Sequence, residues 1–326
     1  MVLLMVDKPK IAFYWCSSCG GCEESLVDLA EDLLAVASRA DIVFWPVALD
    51  TKYSDVEAME DGAIAAVLIN GAVRMDEQVA MAKLLRKKSR LVVAHGSCAH
   101  LGGVVGLANF SSREEALRRA YLEAPSVVNP DGGIPETRPC AEGETLVLSG
   151  FHDSVKALDQ VIEVDYYVPG CPPTPALLKE AITRILDGNL PPRGGVLADR
   201  KALCHTCPRR DSRPETVRIG TFKRLYEVEW DAAVCFLAQG IVCLGPVTRG
   251  GCAARCIGGN MPCRGCFGPT ENVLDQGAKA ASFLSSLIEA VDDEGLKMAV
   301  ASIPDPGGLF YRYSLASSIL KGRVGR

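Results

Sequence analysis

The sequence predicts an α/β fold, with a mostly parallel sheet domain followed by a small module rich in glycine and cysteine. Three observations carry this. The first half alternates short apolar runs with segments of helical periodicity. Such alternation implies right-handed crossovers between parallel strands. The stretch 188–195 is rich in proline and glycine and reads as a domain linker. Beyond it, residues 201–270 hold eight of the fourteen cysteines and little to fill an ordinary apolar core.

The elements follow in order. Lys10–Trp15 is the first strand. Residues 23–38 form a helix with Leu26, Leu29, Ala30, Leu33, Leu34 and Ala37 on its inner stripe. Residues 42–49 are a second strand, and Pro46 marks it as an edge or a bulge. A third strand covers 63–69 and stops at Asn70-Gly71. Residues 76–87 are helical. A fourth strand, 90–94, runs into His95-Gly96-Ser97-Cys98. A charged helix covers 112–122, and turn residues crowd 130–135. A fifth strand, 161–168, runs into Pro169-Gly170-Cys171-Pro172-Pro173. The helix after it, 174–186, tolerates Pro175 in its first turn. A last helix covers 272–291, and the aromatic, basic end Phe310-Tyr311-Arg312-Tyr313 packs on the body or on a partner.

Composition narrows the function. The chain has 326 residues, 48% apolar and 23% charged, enough for a real core. A net charge of −5 favours neither nucleic acid nor an anionic membrane. No run of eighteen apolar residues predicts a membrane span. The apolar stub Met1–Leu4 has no basic region, cleavage site or twin arginine, so the expected location is the cytoplasm. There, fourteen cysteines point to metal ligands, reactive thiols or core residues rather than disulfides. With only four histidines, thiolate dominates any metal site, which favours iron–sulfur clusters or zinc.

Parallel strands bring their carboxyl ends to one sheet edge, where open α/β folds bind ligands. Cys16, Cys19 and Cys22 follow the first strand, Cys98 the fourth and Cys171 the fifth. A cubane needs four thiolates. Cys98 and Cys171 sit in glycine- or proline-rich loops and read as ligands, while spacing permits any two of the first trio. Cys140 lies in a loop and reads as a free thiol. The C-terminal cysteines fall into two quartets, Cys204, Cys207, Cys235, Cys243 and Cys252, Cys256, Cys263, Cys266. Two 4Fe–4S clusters require eight thiolates, so supply matches demand. Nearby glycines let backbone N–H groups approach cluster sulfur. Zinc is the alternative for Cys204-x2-Cys207 and Cys263-x2-Cys266. No nucleophile–base constellation appears. Glu24 reads as a helix N-terminal acid beside Cys22, or as a group for proton or interface chemistry. His95, His100, His152 and His205 lack metal-ligand spacing and read as polar surface or as neighbours of ligands.

These motifs carry a family resemblance. Cys19-Gly20-Gly21-Cys22-Glu23-Glu24-Ser25, Gly96-Ser97-Cys98-Ala99 with Gly102-Gly103, and Pro169-Gly170-Cys171-Pro172-Pro173 resemble the small subunit of nickel–iron hydrogenases. The likeness is greatest to the gamma-type subunit of the cytoplasmic F420-non-reducing and F420-reducing hydrogenases. The related quinone-reductase cluster subunit begins with adjacent cysteines and lacks the C-terminal octet. The resemblance implies a flavodoxin-like domain over 1–190 and a cluster-binding domain over 191–326. It assigns Cys19, Cys22, Cys98 and Cys171 to a proximal 4Fe–4S cluster, leaving Cys16 as an extra thiol. It assigns Cys204, Cys207, Cys235 and Cys243 to a distal cluster, with Cys204 where some relatives use histidine. Cys252, Cys256, Cys263 and Cys266 fall to a medial cluster, and Cys256 implies a full cube rather than 3Fe–4S. The implied partners are a nickel–iron large subunit upstream and, downstream, a 2Fe–2S, flavin or heterodisulfide-reductase-like subunit, or a ferredoxin. A relay subunit of a heterodisulfide-reductase-like or formate-linked complex without nickel–iron chemistry would read much the same. A zinc-stabilised scaffold is the third reading.

Overall fold

A computed structural model describes residues 8–141, 143–303 and 305–321, so the stub Met1–Leu4 lies outside the described residues. The strands in chain order are β1 (Lys10–Trp15), β2 (Asp41–Phe44), β3 (Ile64–Asn70), β4 (Val73–Met75), β5 (Ser89–His95), β6 (Cys140–Ala141), β7 (Glu144–Thr145), β8 (Phe151–Lys156), β9 (Tyr166–Val168) and β10 (Gly195–Val196). Six of them form one sheet in the order β10-β9-β5-β3-β1-β2. Every pairing within it is parallel. The helices are α1 (Gly21–Val27), α2 (Glu31–Arg39), α3 (Tyr53–Ala58), α4 (Asp76–Lys88), α5 (Gly96–Leu101), α6 (Arg113–Arg118), α7 (Pro175–Asp187), α8 (Arg255–Gly258), α9 (Gln276–Ser285), α10 (Asp293–Ala301) and α11 (Pro306–Phe310).

The sheet is covered on both faces, which is why its central strands read as unbroken apolar runs. Ile64, Val67 and Ile69 pack with Val56, Met81 and Leu85 on the α3–α4 face. Leu68, Phe13 and Val93 pack with Leu26, Leu178 and Ile182 on the α1–α7 face. Each fully buried aliphatic side chain contributes about 1.5–3 kcal/mol. Register then places the site. Trp15 aligns with Asn70, Asn70 with His95, and His95 with Val168. The loops bearing Cys19, Cys98 and Cys171 therefore leave the sheet at one level.

Several elements differ from the sequence reading. The helix expected over 23–38 is two helices, because Ala30 adopts φ 50 at the start of α2. The break re-phases the stripe, leaving Leu34 73% exposed and burying Val36 instead. The second strand stops at Phe44, and the chain turns through Pro46 with Ala48 and Leu49 N–H donating to Trp45 O. β2 is nevertheless an edge strand, as Pro46 indicated. The fifth strand shortens to β9, because Val161 and Ile162 N–H turn back to Leu158 O. The stretch after α7 returns to the sheet as β10. The helix expected over 272–291 shortens to α9, capped by the Asp275 side chain. β4 and β8 form an antiparallel pair beside the sheet, without a sequence expectation. The C-terminal module does have an apolar core: Leu203, Phe236, Leu237, Ile241, Leu244 and Ile257 pack with Leu284 and Leu287. Short turns supply it piecemeal, so no periodicity announced it.

Candidate metal centres

The first centre forms where three loops leave the sheet. Cys19 precedes α1, Cys22 lies in its first turn, Cys98 in α5, and Cys171 in the loop after β9. Cys22 and Cys98 are buried, whereas Cys19 and Cys171 are exposed. Burial raises the Cys22 thiol strongly, and Cys98, Cys171 and Cys19 add to it. Cys98 is pushed up to about 12, first by burial and then by Cys171 and Cys19. The four thiols thus stand within electrostatic reach of one another. Val104 and Val105 N–H groups point at the Cys98 sulfur and partly offset the rise. Two glycines hold the loops close. Gly96 (φ +85) and Gly103 (φ +60) have left-handed backbones, and a Cβ there would collide with Cys22 Sγ and Cys98 Sγ respectively.

The second group is Cys252, Cys256, Cys263 and Cys266. Ala253 and Ala254, at φ 53 and 51, turn the chain between the first two. Cys266 is pushed up to about 12 by burial, then by Cys171, Cys252 and Cys256. Cys263 is raised by burial and then by Cys243, with Gly265 N–H opposing.

The third group is Cys204, Cys207, Cys235 and Cys243. Burial and then Cys243 raise Cys204 to about 12, while Arg213 opposes. Cys243 rises to about 11 by burial, countered by Gly245 and Cys263 N–H groups. Cys204, Cys207 and Cys235 line a cavity of about 350 Å³ with Arg209, Arg210 and Arg213. A Cβ on Gly245 would lie 3.3 Å from Cys204 Sγ and 3.7 Å from Cys243 Sγ.

The three groups form a row. The Cys171 N–H points at the Cys266 thiol, joining the first group to the second. Ser97 Oγ donates to Cys266 O at the same seam. Cys263 lies against Cys243, joining the second to the third. Tyr313 stands beside Cys266, Cys171 and Cys256, and its carbonyl accepts from Gly103 N–H at 3.1 Å.

Other thiols stand apart. Cys16 packs in the apolar core and rises to about 12 through burial alone. Cys140 is exposed in the β6–β7 hairpin. Among the described residues, no three His, Cys, Asp or Glu side chains close on a point as a mononuclear metal site requires.

Some residues were missed by sequence reasoning. Glu24 is exposed, whereas Glu23 is 4% exposed. Trp45 Nε1 donates to Glu23 Oε2 and Asn70 Nδ2 to Glu23 Oε1, each at 2.5 Å. Burial raises the Glu23 carboxyl, and these bonds oppose the rise. The signal for Glu23 is a polar residue, Asn70, ending an apolar strand. His95 is buried rather than on the surface, with both ring nitrogens unpartnered, and burial lowers it to about 4. His100 is lowered to about 3 by burial and by Arg249. His152 pairs with Asp76 at 2.7 Å, and His205 lines the outer cavity.

Comparison with known proteins places this geometry. Residues 19–185 match the family described as NADH ubiquinone oxidoreductase, 20 Kd subunit. The chain is 40% identical over 319 residues to an iron-sulfur subunit of the F420-non-reducing hydrogenase of Archaeoglobus profundus, covering 97% of this chain and 98% of that protein. It is 34% identical over 324 residues to the corresponding F420-non-reducing hydrogenase component of Methanothermobacter thermautotrophicus, covering 98% of each. In fold it resembles a [NiFeSe] hydrogenase structure from Desulfovibrio vulgaris Hildenborough, with TM-score 0.51 and 19% identity over 83% of this chain and 97% of that one.

Proposed function

The chain belongs to the family of small iron–sulfur subunits of F420-non-reducing hydrogenases, and from that premise we propose that it relays electrons from a nickel–iron large subunit to an acceptor. The observation that carries the reading is the row of three thiol quartets joined at Cys171–Cys266 and Cys243–Cys263. The donor set fits 4Fe–4S clusters: twelve thiols, glycine cradles against Cys22 and Cys98, and amide N–H groups aimed at sulfur. Bound there, such clusters supply one-electron carriers at low potential.

The residues of the chain do the rest. Cys19, Cys22, Cys98 and Cys171 hold the entry centre, Cys252, Cys256, Cys263 and Cys266 the middle one, and Cys204, Cys207, Cys235 and Cys243 the outer one. Burial of Cys22, Cys98, Cys243 and Cys263 keeps water from the inner sides. The Val104, Val105, Gly245 and Gly265 N–H groups stabilise negative charge on sulfur and so set the potential. Arg209, Arg210 and Arg213 do the same by charge at the outer centre. The acceptor is a 2Fe–2S, flavin or heterodisulfide-reductase-like subunit or a ferredoxin, in the cytoplasm.

Anaerobic purification of the complex tests this. About twelve iron and twelve acid-labile sulfide per chain are expected. Nickel in a co-purifying large subunit and hydrogen-dependent dye reduction complete the expectation. Zinc without iron or sulfide would end the reading, and iron without nickel would move the chain to a relay complex of another kind.

A further inference from the structure

A second cavity, of about 610 Å³, lies on the C-terminal module, with Phe222, Ile241, Val242 and Leu309 among its lining. Lys223, Arg224, Arg264 and Arg312 stand around it against one carboxylate, Asp305. That carboxylate is already engaged, accepting from Gly308 N–H at 2.9 Å to cap α11. None of the four cations forms an ion pair among the described residues. Arg264 stands beside Arg312 and, on its other side, beside Cys243 and Cys263. Arg312 Nε is buried without a hydrogen-bond partner. Lys223, Arg224 and Arg312 have no carboxylate in the cavity beyond the engaged Asp305, and a carboxylate placed among them forms charge-assisted hydrogen bonds.

The rim adds an apolar element. Tyr226 is 77% exposed and Met261 47% exposed, and the Arg224 guanidinium lies 5.9 Å from the Tyr226 ring. Aromatic residues, methionine and arginine are the types enriched at protein interfaces. A small inorganic anion would pair with the arginines yet leave this rim bare. Position matters too. Val242 precedes Cys243 and Arg264 follows Cys263, so the cavity backs onto the junction of the outer and middle quartets.

We propose that this cavity receives an acidic, apolar-anchored segment of the electron-accepting protein. The proposal rests on the relay reading. Its carboxylates would pair with Arg264 and Arg312 while an apolar side chain meets Phe222 and Leu309. Docking there sets the acceptor beside Cys243 of the outer quartet.

The test uses the anaerobically purified complex with Tyr226 replaced by photoreactive p-benzoylphenylalanine. Illumination and peptide mass spectrometry are expected to find a cross-link to an Asp- and Glu-rich segment of the electron-accepting subunit, and a cross-link to the large subunit would overturn the proposal. Charge reversal with Lys223→Glu and Arg224→Glu is expected to slow transfer to that acceptor about tenfold at low salt and to remove its salt dependence. Cross-links confined to this chain, or made to a basic or neutral segment, would overturn the proposal. So would unchanged transfer in the charge-reversed protein. Saturable binding of flavin mononucleotide to the wild type, lost on charge reversal, would make it a small-molecule site instead. Iron content and hydrogen-dependent dye reduction are read in parallel, and a loss in the wild-type complex would count against the relay reading rather than the docking site.

Discussion

At the scale of single residues, the thiols separate by their neighbours. Cys171 borders two quartets, whereas Cys16 is raised by burial alone. Cys171→Ser is expected to lose about four of about twelve irons, and Cys16→Ser none, by iron analysis of each variant. Loss in the Cys16 variant would reassign the opening pair. His95 gives a pH prediction. Its folded value is about 4 against 6.5 for a free imidazole. Between those values the unfolded chain binds the proton and the folded chain does not, so unfolding free energy falls as pH drops through that window. His95→Leu should make this limb shallower in denaturant titrations at pH 4 to 7, leaving the part that His100 contributes. Loop cysteines after parallel strands share an edge, which made Cys98 and Cys171 legible as neighbours of the trio Cys16, Cys19 and Cys22, whereas the choice of Cys19 and Cys22 came from the family resemblance alone. It did not distinguish Glu23 from Glu24, since burial depends on Trp45 and Asn70 arriving from elsewhere.

At the scale of elements, legibility follows burial on two faces. β1, β3 and β5 read directly because apolar runs with both sides covered leave no other interpretation. The break between α1 and α2 did not read, because an alanine gives no warning of φ 50 and ψ −120. That strain makes a prediction: Ala30→Gly should stabilise the chain by about 0.5–1 kcal/mol, seen as a higher denaturant midpoint. The opposite substitution applies at the cradle. Gly103→Ala meets Cys98 Sγ and Cys98 backbone while holding a left-handed φ. It should cost about 1–3 kcal/mol and reduce iron at the entry quartet alone. The β4–β8 pair and the C-terminal core escaped sequence reading for one reason. Each is assembled from segments too short to show a period.

At the scale of the whole molecule, the C-terminal tail ties the sheet domain to the cysteine-rich module. Gln160 Nε2 donates to Ala316 O at 2.9 Å on the sheet side. Ile319 N–H donates to Asp275 Oδ2 at 2.9 Å on the other. A Cβ on Gly102 would strike Ala316, so the tail lies flush against the loop after Cys98. A chain ending at Arg312 should be cut faster by protease between α7 and Cys204 than the full chain, at equal iron content. Equal cutting rates would show that the seam at Ser97 and Cys266 holds without the tail.

Exposure of Cys19, Cys171 and Cys256 sets an order of events. A sulfur left facing solvent admits iron delivery, and it equally admits dioxygen. A partner that covered those three positions would close both routes. Under such a cover, iron delivery would have to precede assembly, and air would act in the interval between the two.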